Sequence, residues 1–394
     1  MNILYLSSLC SVKEYKRIMQ KYGTISSHAS QKFNRLIIDG LIKNGCKINV
    51  ISQRIILNSK KEDLRISDDE ENGIKYKYIP NISNKKLNRI YVIFKSFFYI
   101  KRWLKENKDG YIICDIILGE LSIALFLISL IYNVKTTAIV TDVPNIRAGD
   151  KRNGIRAIPV KIKNSMINYF DSYIFLTMQM NKKLNKKNKP FVIIEGIVDS
   201  GVIDEPNDLE KKYSEKVCIM AGLLEEVFGV ELLVNAFKKI KCLDARLYFY
   251  GKGGSVDYIK KVSRYDSRIQ YKGELTNDQM IIEEKKASLL INPRLPNEKW
   301  TAYSFPSKNM EYISSGTPLV AFDLPCIPTE YHPYFYKIVP ENIEGMEKIL
   351  DELLHTNSKE LNLFGKKAQK WIVKHKNSKV QMKKYIDMME NIVR

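Results

Sequence analysis

Metal-binding and disulfide chemistry have little to work with in this chain. Its 394 residues include four His (His28, His332, His355, His375) and six Cys (Cys10, Cys46, Cys114, Cys218, Cys242, Cys326), set far apart with no C-x-x-C pair. Neither a zinc site nor a disulfide framework is expected, and a reducing compartment fits. Glycine and proline are modest, at 19 and 13, which excludes collagen-like and low-complexity chains. Long hydrophobic runs are absent too. The longest, Leu121–Val134 (LSIALFLISLIYNV), falls short of the roughly 20 residues that cross a bilayer, so a buried helix is expected there. The opening MNILYLSSLCSV lacks a basic leader and a small-residue cleavage site; no signal peptide is expected, and the expected location is the cytoplasm.

Acidic residues are scarce in one half only. Residues 1–200 hold 34 Lys+Arg against 17 Asp+Glu, whereas residues 201–394 hold 30 against 27. A basic half seeks an anionic partner: nucleic acid, an acidic membrane surface or a phosphorylated substrate. Nucleic acid is the poorest fit, because the basic residues are interleaved with apolar runs and no RNA- or DNA-binding motif appears.

What is present is a repeated strand–helix rhythm. Ile3–Leu9 reads as a strand, a Ser-rich stretch (Ser26, Ser27) leads into a helix through Phe33, Leu36, Ile37 and Leu41 that stops at Asn44-Gly45, and Lys47–Ser52 is the next strand. The alternation continues through Tyr111–Ile117, a helix near 119–133, Thr136–Thr141, a helix near 158–169 and Ser172–Leu176. It loosens in the polar segment SGVIDEPNDLEKKYSEK near Asp199, then restarts with strands at Val217–Ala221, Arg246–Tyr250, Ile269–Tyr271, Ala287–Ile291 and Leu319–Phe322. Strands with helical crossovers imply parallel sheets covered on both faces. The expectation is two doubly wound Rossmann-like domains, 1–200 and 201–375, facing each other across a cleft. Ligands of such sheets bind beyond the carboxyl ends of the strands. Ser358–Arg394 reads as helical with a break near Lys376-Asn377-Ser378.

Three strand ends in the second half suit a phosphorylated ligand. Gly222-Leu223 and Gly251-Lys252-Gly253 are glycine-rich, a weak signal because ordinary turns look the same. The third is more specific: Ile291-Asn292-Pro293-Arg294, then Tyr303-Ser304-Phe305-Pro306-Ser307-Lys308, then Glu311 and Ser315-Gly316-Thr317-Pro318. Ser307 is expected to cap a helix whose free N–H groups hold an anion, with Lys308 adding charge and Glu311 one turn deeper able to accept from sugar hydroxyls. The same spacing also fits a capping box in which Glu311 serves only the helix end.

Together these words resemble glycosyltransferase family 4, the retaining group with the GT-B fold, over essentially the whole chain and most strongly between Val217 and Pro325. GLLEEVFGVELLVNAF (222–237) resembles the first strand and helix of its nucleotide-sugar domain, and EYISSGTP (311–318) its E-A-M-A-x-G-x-P signature. The resemblance implies that Glu311 binds the nucleotide ribose. INPR and YSFPSK are similar to words of bacterial enzymes that build capsular, exopolysaccharide or cell-wall glycans. It further implies that the last helix, 376–394, packs back on the first domain. The family's usual Arg and Lys for the donor diphosphate are replaced here by Leu223 and Phe228, and the first Glu of its E-x7-E motif by Tyr303. Arg294 and Lys308 are the expected substitutes, since a diphosphate leaving group needs positive charge aimed at it.

On the first domain, Asp142 ends the strand Thr136–Thr141 and is the expected acceptor-side carboxylate, able to orient or deprotonate a hydroxyl; a loop cap is its other reading. Glu195 also ends a strand near the hinge, and Asp115 and Glu120 bracket Gly119. His28 starts a helix and is a further acceptor-side candidate. The stretch Lys85–Lys105 sets Leu87, Ile90, Tyr91, Phe94, Phe97, Phe98 and Leu104 at helical spacing among Lys85, Lys86, Arg89, Lys95, Lys101, Arg102 and Lys105. This suits a helix lying partly in the core and partly against anionic lipid. The loop Asn145–Lys163, with Arg147, Lys151, Arg152, Arg156, Lys161 and Lys163, would extend that basic face.

The resemblance therefore implies a retaining hexosyltransferase. It would move a sugar from a nucleotide-diphosphate donor to a lipid-linked or glycan acceptor at the inner face of the cell membrane. No cofactor or metal is expected, because no D-x-D word is present. The missing diphosphate cations leave a second reading open, a catalytically silent GT-B subunit that activates a partner transferase.

Overall fold

The computed structural model describes residues 1–22, 28–54, 64–116, 119–143, 146, 166–199 and 206–393. The Ser26-Ser27 stretch, the start of the expected 158–169 helix, most of the basic 145–163 loop and the first part of the polar segment after Asp199 lie outside them. The chain divides into two compact units, one of Met1–Ile197 with Ser378–Arg394 and one of Val198–Asn377.

In the first unit eight strands form one sheet: β1 (Asn2–Ser7), β2 (Lys47–Ser52), β3 (Asp69–Glu71), β4 (Ile74–Tyr78), β5 (Tyr111–Asp115), β6 (Lys135–Val140), β7 (Ser172–Phe175) and β8 (Phe191–Ile193). Their spatial order is β3-β4-β2-β1-β5-β6-β7-β8, with only the β3–β4 pair antiparallel. The central strands are apolar on both faces, as the burial of Ile3 through Leu6, Ile112–Cys114 and Ala138–Val140 shows, because helices cover both sides. The small β3–β4 hairpin was not expected. Its first strand is three acidic residues, which carry no apolar signal, although the second, IKYKY, alternates buried and exposed as a strand covered on one face should.

In the second unit six parallel strands, β9 (Lys216–Leu223), β10 (Ala245–Lys252), β11 (Ile269–Gly273), β12 (Leu289–Asn292), β13 (Leu319–Ala321) and β14 (Tyr336–Lys337), run in the order β11-β10-β9-β12-β13-β14. Numbered within the unit this is 3-2-1-4-5-6, the doubly wound arrangement whose order reverses between the first and fourth strands. The crevice for a ligand therefore lies at the carboxyl ends of β9 and β12. In the first unit the same reversal falls between β1 and β5.

The C-terminal helix Ser378–Val393 belongs to the first unit. It packs along the helix His28–Lys43 and buries Met382, Tyr385, Ile386 and Met389. Ser378 Oγ donates to Asp39 at 2.5 Å, and Tyr385 and Thr137 share a hydroxyl contact at 3.0 Å. A side chain at Gly40 would stand 2.1 Å from the Ser378 carbonyl oxygen, so the two helices meet backbone to backbone. Gly40→Ala is expected to cost about 1–3 kcal/mol by overpacking this contact. Urea unfolding followed by circular dichroism checks it, with a lower midpoint expected.

Candidate functional site

The site at the carboxyl ends of β9 and β12 is built first from backbone. Gly222, Gly251 and Gly253 all have positive φ, where a side chain is strained. They do different work. A Cβ on Gly251 would lie 1.9 Å from the Gly222 carbonyl oxygen, and one on Gly253 would lie 2.2 Å from that of Leu224. These two glycines therefore let β9 and its following loop lie against β10, and need no ligand to explain them. Gly222 faces Lys308, whose Cε would be 3.7 Å from its Cβ. Leu223 is exposed, and Lys252 is a surface side chain near Glu274 at 3.9 Å. At the end of β12, Gly229 sits against the Pro293 carbonyl, 2.1 Å from where a Cβ would be, which brings the start of the helix Val230–Phe237 onto the Asn292-Pro293-Arg294 turn.

The helix Ser307–Ser315 supplies the side chains. Pro306 occupies its N-cap position and no side chain caps it, so Ser307 is the first helical residue and not the cap that spacing suggests. The first-turn N–H groups of such an end have no partner within the helix. Asn309 accepts from Asn292 Nδ2 at 2.5 Å, tying this turn to β12. Tyr312, fully buried, places its hydroxyl on Ala221, donating to the carbonyl at 3.3 Å and accepting from the N–H at 2.8 Å, which ties the next turn to β9. Phe305 and Pro306 are buried anchors, Phe305 against Tyr331. Tyr303 and Ser304 are partly exposed beside them.

The two expected cations sit in unlike surroundings. Lys308 Nζ lies 2.8 Å from Glu311 Oε1 and 3.5 Å from Glu284 Oε1, and Glu284 is completely buried. Burial alone would lower the Lys308 ammonium, but Glu284 and Glu311 outweigh it and raise its pKa. Arg294 is 6% exposed and pairs with no carboxylate among the described residues. Its guanidinium stacks 3.8 Å from the Trp300 ring centroid, Nη2 donates to the Ser304 carbonyl at 2.8 Å, and Nε is buried without a partner. Burial pushes its pKa down to about 10, which leaves it cationic at neutral pH. A buried, uncompensated charge costs several kcal/mol and persists where an anion completes it. Lys308 is thus largely neutralised by its neighbours, whereas Arg294 has no carboxylate partner among the described residues.

On the first unit, the expected acceptor-side residues lie on different elements. Asp142 follows β6 and is half-buried. Glu195 is buried and accepts from Gln381 Nε2 of the C-terminal helix at 3.3 Å. His28 is exposed and bonds Tyr15 Oη through Nδ1 at 2.6 Å. Asp115 is buried at the strand-order reversal, accepting from Asn34 at 3.2 Å, and Glu120 pairs with Arg89 at 2.7 Å. In the helix Lys85–Glu106, Val92, Ile100, Trp103 and Leu104 face the core, while Leu87, Ile90, Phe94 and Phe98 are exposed. Lys86 and Lys105 are exposed along the same helix, Lys95 and Lys101 are half-exposed, and Arg102 lies 3.7 Å from Glu106. No helix among the described residues is long and apolar enough to cross a membrane, and no group of three or more His, Cys, Asp or Glu is gathered there.

Sequence reasoning passed over Glu284, Trp300 and Tyr312. Glu284 lies four residues after buried Met280 in the helix Asn277–Lys286, and a carboxylate on an apolar helix face was the available signal. Trp300 and Tyr312 act through long-range contacts that spacing does not reveal.

Residues 215–356 match the family described as Glycosyl transferases group 1; on this match they form a glycosyltransferase domain. No curated protein matches the chain. Among solved structures, the chain is similar to sucrose-phosphate synthase from Thermosynechococcus elongatus, at 12% identity, TM-score 0.68 and 100% coverage of both chains. It is similar to HepE of Anabaena, solved with UDP and glucose, at 13% identity, TM-score 0.62 and coverage of 99% and 100%. It is also similar to the lipopolysaccharide outer core galactosyltransferase WaaB, at 14% identity, TM-score 0.61 and coverage of 99% of each chain. Likeness at such identities shows the fold: two Rossmann-like α/β units, the GT-B class.

Lys308→Met is expected to destabilise the second unit by about 3–5 kcal/mol, because it strands the buried Glu284 carboxylate. Adding Glu284→Gln should recover most of that loss. Urea unfolding of the two single variants and the double variant measures the coupling.

Proposed function

We propose that this chain is a retaining glycosyltransferase that uses a nucleotide-diphosphate sugar. The observation that carries the reading is Arg294: a desolvated guanidinium with an orphan Nε and no carboxylate partner among the described residues, at the strand-order reversal of a glycosyltransferase domain. In this reading the donor diphosphate completes Arg294, aided by the N–H groups at the start of the helix Ser307–Ser315. Glu311 binds the nucleotide ribose, and Lys308 holds Glu311 in place through their 2.8 Å contact. Charge that develops on the leaving diphosphate is then met by groups already oriented, without a metal. The acceptor hydroxyl attacks the face from which the diphosphate departs, and the donor phosphate takes its proton. Asp142 orients the acceptor on the first unit.

The acceptor in this reading is a lipid-linked or polysaccharide chain of a bacterial surface glycan, and the enzyme works at the inner face of the cell membrane. The exposed Leu87, Ile90, Phe94 and Phe98 beside Lys86, Lys101, Arg102 and Lys105 support this. Apolar side chains enter the headgroup boundary, while each nearby cation adds about 1 kcal/mol on anionic lipid.

Three outcomes are expected. Arg294→Ala lowers kcat/KM for donor hydrolysis about 100-fold, measured as nucleotide release across a panel of nucleotide sugars. Absence of turnover with every donor, in the presence of membrane extract, would favour the silent subunit. Glu311→Ala removes calorimetric binding of the nucleotide while the circular dichroism spectrum is unchanged. Changing Lys86, Lys101, Arg102 and Lys105 together to Gln releases the protein from anionic vesicles in sedimentation, and the wild type loses binding as salt is raised.

A further inference from the structure

A groove on the first unit is lined by Tyr91 and Lys95 of the helix read above as partly lipid-facing, and by residues to which no role has been given. It is a shallow, largely open depression of about 390 Å³. Its walls are Tyr91 and Tyr99 from the helix Lys85–Glu106, Tyr78 from the end of β4, and the segment Arg65–Asp68 that leads into β3. Lys95 Nζ stands 5.6 Å from the Tyr91 ring centroid and Lys77 Nζ 5.1 Å from that of Tyr99. Two rings thus each have a cation beside them, of which Lys77 is paired with Asp68, and Arg65 adds a further positive charge.

The single carboxylate in the groove is held in place. Asp68 pairs with Lys77 and accepts from the Tyr78 N–H at 3.3 Å. Tyr78 in turn donates to Ser11 Oγ at 3.2 Å, which links the groove to the loop after β1, beside the strand-order reversal of this unit.

This chemistry selects a ligand class. Tyrosine faces pack against the C–H faces of pyranose rings, and their hydroxyls exchange hydrogen bonds with sugar hydroxyls. Ammonium and guanidinium groups bind carboxylate or phosphate substituents. A bare phosphodiester chain fits less well, because it offers no pyranose faces to the tyrosine rings. Membrane lipid fits less well too: Tyr91, Lys95 and Tyr99 lie roughly a quarter-turn around the helix from Leu87, Ile90, Phe94 and Phe98. We infer that this groove binds an anionic saccharide, one bearing carboxylate or phosphate groups, and so anchors the acceptor chain. The acceptor assignment rests on the transferase reading; the binding itself does not.

Titration of the full chain by calorimetry with a hexameric oligogalacturonide, without nucleotide, tests this. Binding is expected, with maltohexaose weaker. Tyr91→Ala and Lys95→Gln should each weaken it about 5-fold, Tyr91→Phe should retain most of it, and UDP, GDP or ADP titrations should be unchanged in all three. Thermal melts confirm that the variants are folded, and Tyr99→Ala serves as a second ring deletion if Tyr91→Ala is not. No binding, or equal binding by the wild type and both variants, overturns the inference. Equal displacement by a dT12 oligonucleotide assigns the groove to single-stranded nucleic acid, and equal displacement by inorganic phosphate alone reduces it to an anion site. Nucleotide binding with no oligogalacturonide binding leaves the transferase reading standing while this inference fails; the reverse outcome separates them the other way.

Discussion

The second unit depends on how three charges are paired beneath one helix end. Lys308 is held between Glu284 and Glu311, with Glu284 wholly buried. A buried carboxylate is tolerable only with its cation in contact, so the position of Lys308, and with it that of Glu311, is fixed by the need to neutralise Glu284. Tyr312 locks the same helix to Ala221, the residue before Gly222. The polar groups at the mouth of the site are therefore oriented from below, by contacts that a bound ligand would not have to make.

Arg294 stands in contrast. Stacking on Trp300 and one bond to the Ser304 carbonyl orient the guanidinium plane without cancelling its charge. An arginine suits this position better than a lysine, since its planar, weakly hydrated cation can stack on an indole and still present N–H groups. Its neighbour Trp300 also receives the edge of Phe228, the residue that stands where the resembling family keeps a lysine. An aromatic there fits a site in which the cation has moved to β12 and is supported by rings.

Much of this was legible in the sequence. The strand–helix rhythm announces parallel sheets because strands buried on both faces must be apolar throughout, and Ile219 through Ala221 or Leu289–Ile291 are. The turn from Ile291 to Pro318 reads as a ligand site because its glycine, proline and charged residues cluster at strand and helix ends. The rest was hidden for identifiable reasons. The β3 strand is made of acidic residues and is defined by its pairing with β4, which no local pattern encodes. Ser307 matches a capping pattern, yet Pro306 takes the cap position. Glycine-rich strand ends suggest ligand approach, yet Gly251 and Gly253 accommodate the neighbouring backbone. Which of two cations is compensated depends on Glu284, more than 20 residues from Lys308 in sequence and in contact only through the fold.

The first unit follows a different logic from the second. Its carboxylates are mostly engaged: Asp115 with Asn34, Glu120 with Arg89, Glu195 with Gln381, and Glu14 with Arg54 and Arg17. Such pairing holds the carboxyl rim of its sheet rigid, and it also removes negative charge from the surface. Part of the cationic excess of this half lies on the helix Lys85–Glu106, and part in the sequence from Arg147 to Lys189. If the proposed anionic acceptor binds this unit, long-range attraction would raise the rate of encounter, and tyrosine rings would supply the short-range fit that charge alone lacks. The 34 cations against 17 carboxylates of residues 1–200 thus contrast with the near-neutral second half, in which Arg294 is a buried guanidinium with no carboxylate partner among the described residues.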